Sequence, residues 1–186
     1  MTEDNQEMLE GLSNVRSLDP LQYKIYKGIK GKFGALRLKL KRAYTSSDSR
    51  KPDGCVFLEA APAIGPNQYD WENQKIVMAL SITDIPQILA FLRNPTNSAY
   101  QQVNEQNEIT GHQIKLFHDK GAGTADKMKD TKNLVISKYP DKDSFFVSLT
   151  QNLSGSTKNC TLPILPYEAL AIGTLLQAAI PAILAW

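Results

Sequence analysis

The chain has 186 residues, of which 42% are hydrophobic and 22% are charged. This composition is typical of one globular domain, or of a domain with a short tail, and it excludes a disordered protein. The two histidines and two distant cysteines exclude a structural zinc site of the usual ligand spacing, and we expect no bound metal or cofactor. Cys55 and Cys160 are expected to be reduced, partly buried thiols of a cytoplasmic protein.

The net charge of +2 is unevenly distributed along the chain. The first fourteen residues contain four acidic side chains and no Lys or Arg, whereas residues 24–51 contain ten Lys or Arg and one Asp. Such a basic segment indicates a polyanionic partner, most often nucleic acid, or else a solvated basic hairpin. The N-terminus has the features of neither a signal peptide nor a transit peptide, so we expect a protein that works where it is made.

The first third of the chain is predicted to be mainly strand. Residues 1–21 are expected to form a flexible lead-in, and residues 22–44 to form strands with glycine turns. From Leu36 to Lys41 leucine alternates with a basic residue, which predicts a half-buried strand with a basic outer face. By the same parity Phe33 falls on the basic face, unless Gly34 forms a bulge.

The middle of the chain contains a predicted helix between strands. A buried strand is expected at 55–61 and another strand at 74–82. A helix with Thr83 or Asp84 as its N-cap follows and ends at Asn94-Pro95. Residues 94–111 are polar and aperiodic, which predicts a long surface loop. Four more strands are expected, at 113–118, 133–139, 144–151 and 160–165.

The end of the chain is an apolar segment, residues 167–186, that predicts a helix interrupted by Pro181. Its last eighteen residues carry no charge, which is long enough for a membrane span. The polar and helix-breaking residues in its interior favour burial in a subunit interface instead. Runs of strands with segregated helices predict an α+β fold.

Residues 23–75 interleave basic and aromatic side chains, the two groups that single-stranded nucleic acid requires. Each aromatic or acidic candidate has a structural alternative. Tyr69 and Trp71 are also explained as loop anchors, and Asp70 as an Asx-turn residue. Phe117 and Phe145 are explained as core residues, and His118 as a polar residue at a sheet edge.

No motif in the sequence indicates catalysis. The glycine-rich segment 121–124 lacks the spacing of a phosphate-binding loop, and the serine-hydrolase and metalloprotease motifs are absent. The sequence therefore predicts a protein that is not an enzyme.

Several short motifs, taken in order, resemble the Whirly family of single-stranded-DNA-binding proteins. The most specific is Gln68-Tyr69-Asp70-Trp71, preceded by Ala61-Pro62-Ala63 and followed by Leu80–Ile85. Further along, the similar motifs are Phe117-His118-Asp119, Phe145–Leu149, Leu162-Pro163-Ile164 and the chain end Ile180–Trp186. The family's lysine-rich motif is matched by Ile25–Gly28 and, with one extra residue, by Lys30–Leu36.

The resemblance implies one domain over residues 22–186, with two antiparallel four-stranded sheets packed across each other and two helices. It implies a homotetramer formed through the helix at 167–186, and sequence-tolerant binding of single-stranded DNA between the sheets of neighbouring subunits. The implied roles are DNA replication, recombination, repair and transcription regulation. The expected binding residues are Tyr26, Lys27, Lys30, Lys32, Phe33, Arg37, Lys39, Gln68, Tyr69, Asp70, Trp71, Lys75, Phe117 and His118.

Because no transit peptide is visible, we expect a prokaryotic or phage member in the cytoplasm, and an organellar one only if such a peptide has been removed. Two alternatives remain open at this point. One is an RNA-binding member of the same fold group. The other is a tail-anchored membrane or scaffold protein whose basic strand contacts anionic lipid.

Overall fold

The computed structural model describes residues 22–28, 33–41, 54–119, 130–153 and 155–184. The strands in these ranges are β1 (Gln22–Tyr26), β2 (Gly34–Lys41), β3 (Cys55–Gly65), β4 (Gln68–Tyr69), β5 (Ile76–Leu80), β6 (Gln101–Val103), β7 (Ile109–Asp119), β8 (Thr131–Lys138), β9 (Phe145–Leu153) and β10 (Ser156–Ile164). The helices are α1 (Asp84–Arg93), a short 3-10 helix (Ser98–Tyr100) and α2 (Pro166–Leu184). The predicted lead-in, residues 1–21, lies outside the described residues.

The strands form two antiparallel sheets. Sheet 1 has the order β1-β2-β3-β4, with β5 paired to a different part of β3, and sheet 2 has the order β10-β9-β8-β7-β6. The predicted α+β fold of two sheets and two helices is confirmed. Each sheet has five strands where four were predicted. The additional strands are the short β4 and β6, which contain two and three residues and leave little pattern in the sequence.

Sheet 1 separates its apolar and basic side chains because the residues of β2 alternate. Leu36 and Leu38 are buried, whereas Arg37 and Lys39 on the opposite side are half-buried. Burial of a leucine side chain contributes roughly 1.5–3 kcal/mol relative to leaving it in water, so the leucine side must face the core. The predicted half-buried strand is therefore confirmed, and its basic side points outward.

The core lies between the two sheets and is closed by both helices. Sheet 1 contributes Leu58 and Met78, and sheet 2 contributes Leu134, Leu149 and Leu162. The remaining large contributions come from α1, through Ile85, Ile88 and Phe91, and from α2, through Ile172 and Leu176.

Local chemistry sets the limits of α1. The Asp84 carboxylate accepts hydrogen bonds from the backbone N and the hydroxyl of Ser81, both at 2.7 Å, which fixes the turn that enters the helix. Pro86 lies in the first turn, where its missing N–H costs nothing. The helix ends at Arg93, as the Asn94-Pro95 pair predicts.

The prediction of a surface loop at residues 94–111 is wrong in part. Residues 98–100 form the 3-10 helix, and β6 pairs with the start of β7 through Gln101–His112 and Gln102–Gly111. All three residues of β6 are exposed, so the strand has no buried side to leave an alternating pattern in the sequence. The pairing of its backbone with β7 is what makes it a strand.

Gly34 begins β2 at a point where the chain is crowded. A Cβ atom at this position would clash with the Cys160 sulfur and would stand 2.5 Å from the Ala61 carbonyl oxygen. Burial raises the pKa of the Cys160 thiol to about 11, and both cysteines are free thiols. Gly34 is therefore required by close packing of β2 on β3 and β10.

We expect Gly34→Ala to lower the free energy of unfolding by about 1–3 kcal/mol, because overpacking forces the backbone or the thiol to move. Urea denaturation followed by circular dichroism measures the loss. Gly173→Ala is the matched control, since its Cβ would lie 3.8 Å from Leu89 and Leu92, an ordinary contact, within a helix that favours alanine. Equal stability of the two variants would contradict this account of Gly34.

Candidate nucleic-acid interface

The outer side of sheet 1 carries a group of charged and aromatic residues that we call the basic face. Register places Lys24, Arg37, Glu59 and Val77 in one row across β1, β2, β3 and β5. The neighbouring rows are Tyr26, Ala35 and Ala61 on one side, and Gln22, Lys39, Phe57 and Ala79 on the other. Antiparallel pairing thus brings residues from four separate segments onto one surface.

Glu59 controls the charge of the basic face. Its carboxylate is buried and accepts hydrogen bonds from Arg37 Nε, at 2.7 Å, and from Arg37 Nη2. Lys39 Nζ lies 3.5 Å from the other carboxylate oxygen. Within the described part of the chain, no carboxylate pairs with the exposed Lys24. Arg37 is therefore held in place by its partner, while Lys24 offers its charge to solvent.

The segment that follows β3 folds back and covers part of the basic face with aromatic rings. Tyr69 accepts a hydrogen bond from the Gly28 backbone N at 2.9 Å, and its ring packs on Tyr26 with centroids 5.3 Å apart. The Arg37 guanidinium lies over the Trp71 ring, with Arg37 Cζ 4.6 Å from the ring centroid, in a cation–π contact. The basic face thus combines cations with aromatic rings.

Asp70 has a structural role in this segment. Its carboxylate accepts a hydrogen bond from the Asn73 backbone N at 2.9 Å, and its own backbone N donates to the Pro62 carbonyl at 3.0 Å. This bond reaches the third residue along the chain, one further than in an Asx-turn, and the Asp70 carboxylate stabilises the turn that follows it. On either side of the turn, Gln68 and Lys75 are exposed.

Lys27 and Phe33, two of the expected binding residues near the lysine motif, have different surroundings. Lys27 does not present its ammonium on the basic face, because Nζ lies 2.9 Å from Glu168 Oε1 at the start of α2. Phe33 adopts a left-handed backbone with φ 65° and is partly exposed just before β2. Lys30 and Lys32 lie outside the described residues.

Phe117 and His118 belong to sheet 2, and within one subunit they are not part of the basic face. Phe117 is 56% exposed on the outer side, opposite Asn133, so the alternative that it is a core residue is wrong. Phe145 is buried in the core, as that alternative predicts for it. The adjacent His118 faces the opposite way, and its Nε2 lies 3.2 Å from a carboxylate oxygen of Asp84.

Sequence reasoning missed Phe57 and Glu59, which lie on the basic face. Both belong to the apolar run 55–61, for which the sequence predicts a buried strand. The single glutamate in that apolar run was the signal, because a carboxylate is rarely buried without a cationic partner on a neighbouring strand. Among the residues that the structure describes, no cluster of three or more His, Cys, Asp or Glu is arranged to hold a metal ion.

We expect Tyr69→Phe to lower the free energy of unfolding by about 0.5–1.5 kcal/mol, because the Gly28 N–H loses its acceptor. The ring and its packing on Tyr26 are retained. Chemical denaturation measures the change, and Tyr139→Phe is the control, since Tyr139 is 43% exposed after β8 and the substitution keeps its ring contact with Phe146. A Tyr69→Phe protein as stable as the control would show that the hydroxyl does not anchor the segment.

Comparison with known proteins supports this description. The model of the Whirly transcription factor family matches residues 25–175. The single-stranded DNA-binding protein WHY1 of the potato chloroplast is 28% identical over 136 residues, which are 72% of this chain and 43% of that protein. Maize chloroplast WHY1 is 30% identical over the same length and 44% of its own sequence. The chain thus spans less than half the length of these relatives.

A solved structure confirms the fold. The plant transcriptional regulator PBF-2 superposes with a TM-score of 0.68 at 26% identity, over 90% of this chain and 84% of that one. The two sheets and two helices predicted from the sequence are those of the Whirly structures.

The expectation of a cytoplasmic protein is wrong by this comparison, because the relatives above are chloroplast proteins. It depended on the absence of a transit peptide from the N-terminus, and where a sequence begins says nothing about the compartment in which the protein works. The match over residues 25–175, together with the shared fold, shows that the chain belongs to the Whirly family of transcription factors.

Proposed function

We propose that this protein binds single-stranded DNA with little sequence preference, as a homotetramer and without catalysis. The observation that carries the proposal is the basic face, on which Lys24 and Lys39 lie beside Tyr26, Tyr69 and Trp71. The single-stranded DNA binding of the potato and maize relatives supports the choice of ligand. By the same analogy, we propose roles in DNA replication, recombination or repair.

The two kinds of side chain on the basic face divide the work of binding. Lysines neutralise phosphates and release counterions, which supplies affinity that does not depend on sequence. Aromatic rings stack on bases, at about 1–3 kcal/mol per base, and every base has a flat face to stack. The buried Glu59 limits the net charge, so we expect binding to require exposed bases in addition to phosphates.

The exposed side of α2 supports assembly into an oligomer. One side of the helix packs into the core, but Tyr167 and Leu170 on the other side are 66% and 71% exposed. Thr174 and Ala178 continue this exposed stripe. A stripe of this kind, without charge, indicates an interface with another protein surface, and a second copy of the chain is the partner we propose.

The same helix is long and apolar enough, by length and composition, to cross a membrane. Its contacts favour a different role. Ile172, Leu176 and Ile183 are buried in the core, and Arg93 of α1 donates a hydrogen bond to Gln177 at 2.9 Å. Withdrawing α2 into a bilayer would remove these side chains from the core, so α2 is an element of the fold with one side left for assembly.

We expect the protein to bind a labelled oligothymidine of about 32 nucleotides, several sites long, far more tightly than the corresponding duplex. Lys24→Ala should weaken binding and reduce the steepness of the dependence on log salt by about 0.7, the contribution of one phosphate on a single strand. Fluorescence anisotropy over a salt series measures both quantities.

Lys142→Ala is the matched control, since Lys142 is an exposed lysine in the turn between β8 and β9, paired with Asp141. Equal affinity for single strand and duplex would contradict the proposal. A matched RNA oligomer in the same assay tests the RNA-binding alternative.

We expect Leu170→Glu to convert the tetramer to smaller species, because a carboxylate would be buried without a partner in the interface. Size-exclusion chromatography with light scattering measures the mass. Val103→Glu is the control, since this residue is an exposed apolar side chain on β6, away from α2. Identical masses for the wild type and both variants would place the interface elsewhere.

A further inference from the structure

A cavity lies where the edge strand of sheet 1, β5, meets the end of sheet 2. It has a volume of about 150 Å³, and we call it the edge pocket. Its apolar side comes from sheet 1 and its polar side from sheet 2 and the segment before β8. The lining residues are Phe57, Val77, Ala79, His118, Asp130 and Lys132.

The polar side chains around the edge pocket are arranged in pairs. His118 Nε2 lies 3.2 Å from the buried Asp84 carboxylate, and Lys132 Nζ lies 3.4 Å from Asp130. Gln151 donates a further hydrogen bond to Asp130 at 2.7 Å. Because Asp130 balances the Lys132 ammonium and a further carboxylate, Asp84, lies beside His118, the edge pocket does not attract a phosphate. It offers hydrogen-bond donors and acceptors to a neutral ligand.

The edge pocket is continuous with the basic face. Phe57 lies between Lys39 and Ala79 in one row of the sheet, and all three side chains point to the outer side. Phe57 is half-buried and Ala79 is exposed, so the aromatic ring is accessible from that side. A DNA strand whose phosphates contact the lysines of the basic face would pass the mouth of the edge pocket.

The size of the pocket restricts the base that it can take. A protein cavity of this volume is known to admit benzene, a single six-membered ring. A pyrimidine base is one such ring with polar substituents on its edge, whereas a purine adds a second fused ring. The apolar side, formed largely by Phe57, suits the face of the ring, and the paired charges suit its polar edge.

We infer that the edge pocket receives one pyrimidine base, turned out of the bound strand, with its ring against Phe57 and its polar edge toward Asp130 and Lys132. This inference rests on the proposed binding of single-stranded DNA and adds a base preference to it. Sequence tolerance elsewhere is unaffected, because the other bases stack on exposed rings.

The experiment compares oligothymidine with oligodeoxyadenosine of equal length by fluorescence anisotropy. The wild type should prefer oligothymidine. Phe57→Leu should weaken oligothymidine binding by about 5- to 150-fold, the range expected from losing one stacked base, and should reduce the preference. Adenines stack on one another in free oligodeoxyadenosine, which weakens its binding to every protein by the same factor. Because both oligomers are measured with each protein, this factor cancels when the affinity ratios of wild type and variants are compared.

A second variant keeps Phe57 and the polar side of the pocket and fills its space from the mouth. Ala79→Leu places a larger side chain at an exposed position on the mouth and should remove the preference in the same way. Ala99→Leu, in the exposed 3-10 helix before β6, is the size-matched control and should bind as the wild type does. Thermal denaturation shows whether each variant is folded.

Three results would overturn the inference. A wild type without the thymidine preference would do so, as would folded Phe57→Leu and Ala79→Leu proteins that retain it, and in both cases DNA binding itself would stand. Failure of the wild type to bind either oligomer would overturn the inference together with the proposed function.

Discussion

The burial of one side of sheet 1 against sheet 2 is the constraint from which the rest of the structure follows. In β2 every second residue is a leucine, and the leucines leave water only if that side of the strand faces the core. The intervening Arg37 and Lys39 must then point outward. Since β1, β3 and β5 pair with β2 or with β3, their outward residues join the same surface, and a basic face results from the packing of the core.

A surface of like charges opposes folding, and two features of this one offset the repulsion. Glu59 is buried between β2 and β5 and neutralises Arg37 and Lys39 at close range. Trp71 then covers the Arg37 guanidinium, so this cation is held between a carboxylate and an indole ring. A ring held in this way is positioned before any ligand arrives, which reduces the entropy cost of binding.

The last helix shows how one element serves both folding and assembly. Glu168 accepts a hydrogen bond from the Leu165 backbone N at 2.8 Å at the start of α2, and it also pairs with Lys27 after β1. The ion pair joins the segment after β1 to the first turn of α2. The helix buries one side in the core and leaves an apolar side exposed, which explains why its sequence shows so little polarity around its circumference.

The sequence by itself determined the local features. The alternation along β2 determined its basic outer side, the Asn94-Pro95 pair determined the end of α1, and the glutamine-tyrosine-aspartate-tryptophan motif indicated the family. These features depend on residues close in the chain, so a short pattern contains the whole of the information.

Only the tertiary structure decided which charges are available and which are used internally. Lys24 and Lys27 are equivalent in the sequence, yet Lys27 is paired with Glu168 from the far end of the chain. Phe117 and Phe145 are both phenylalanines within strands, yet one is exposed and the other is buried. Strand pairing and sheet packing join residues distant in sequence, and the free energy of a charge or a ring depends on those neighbours, which no local pattern specifies.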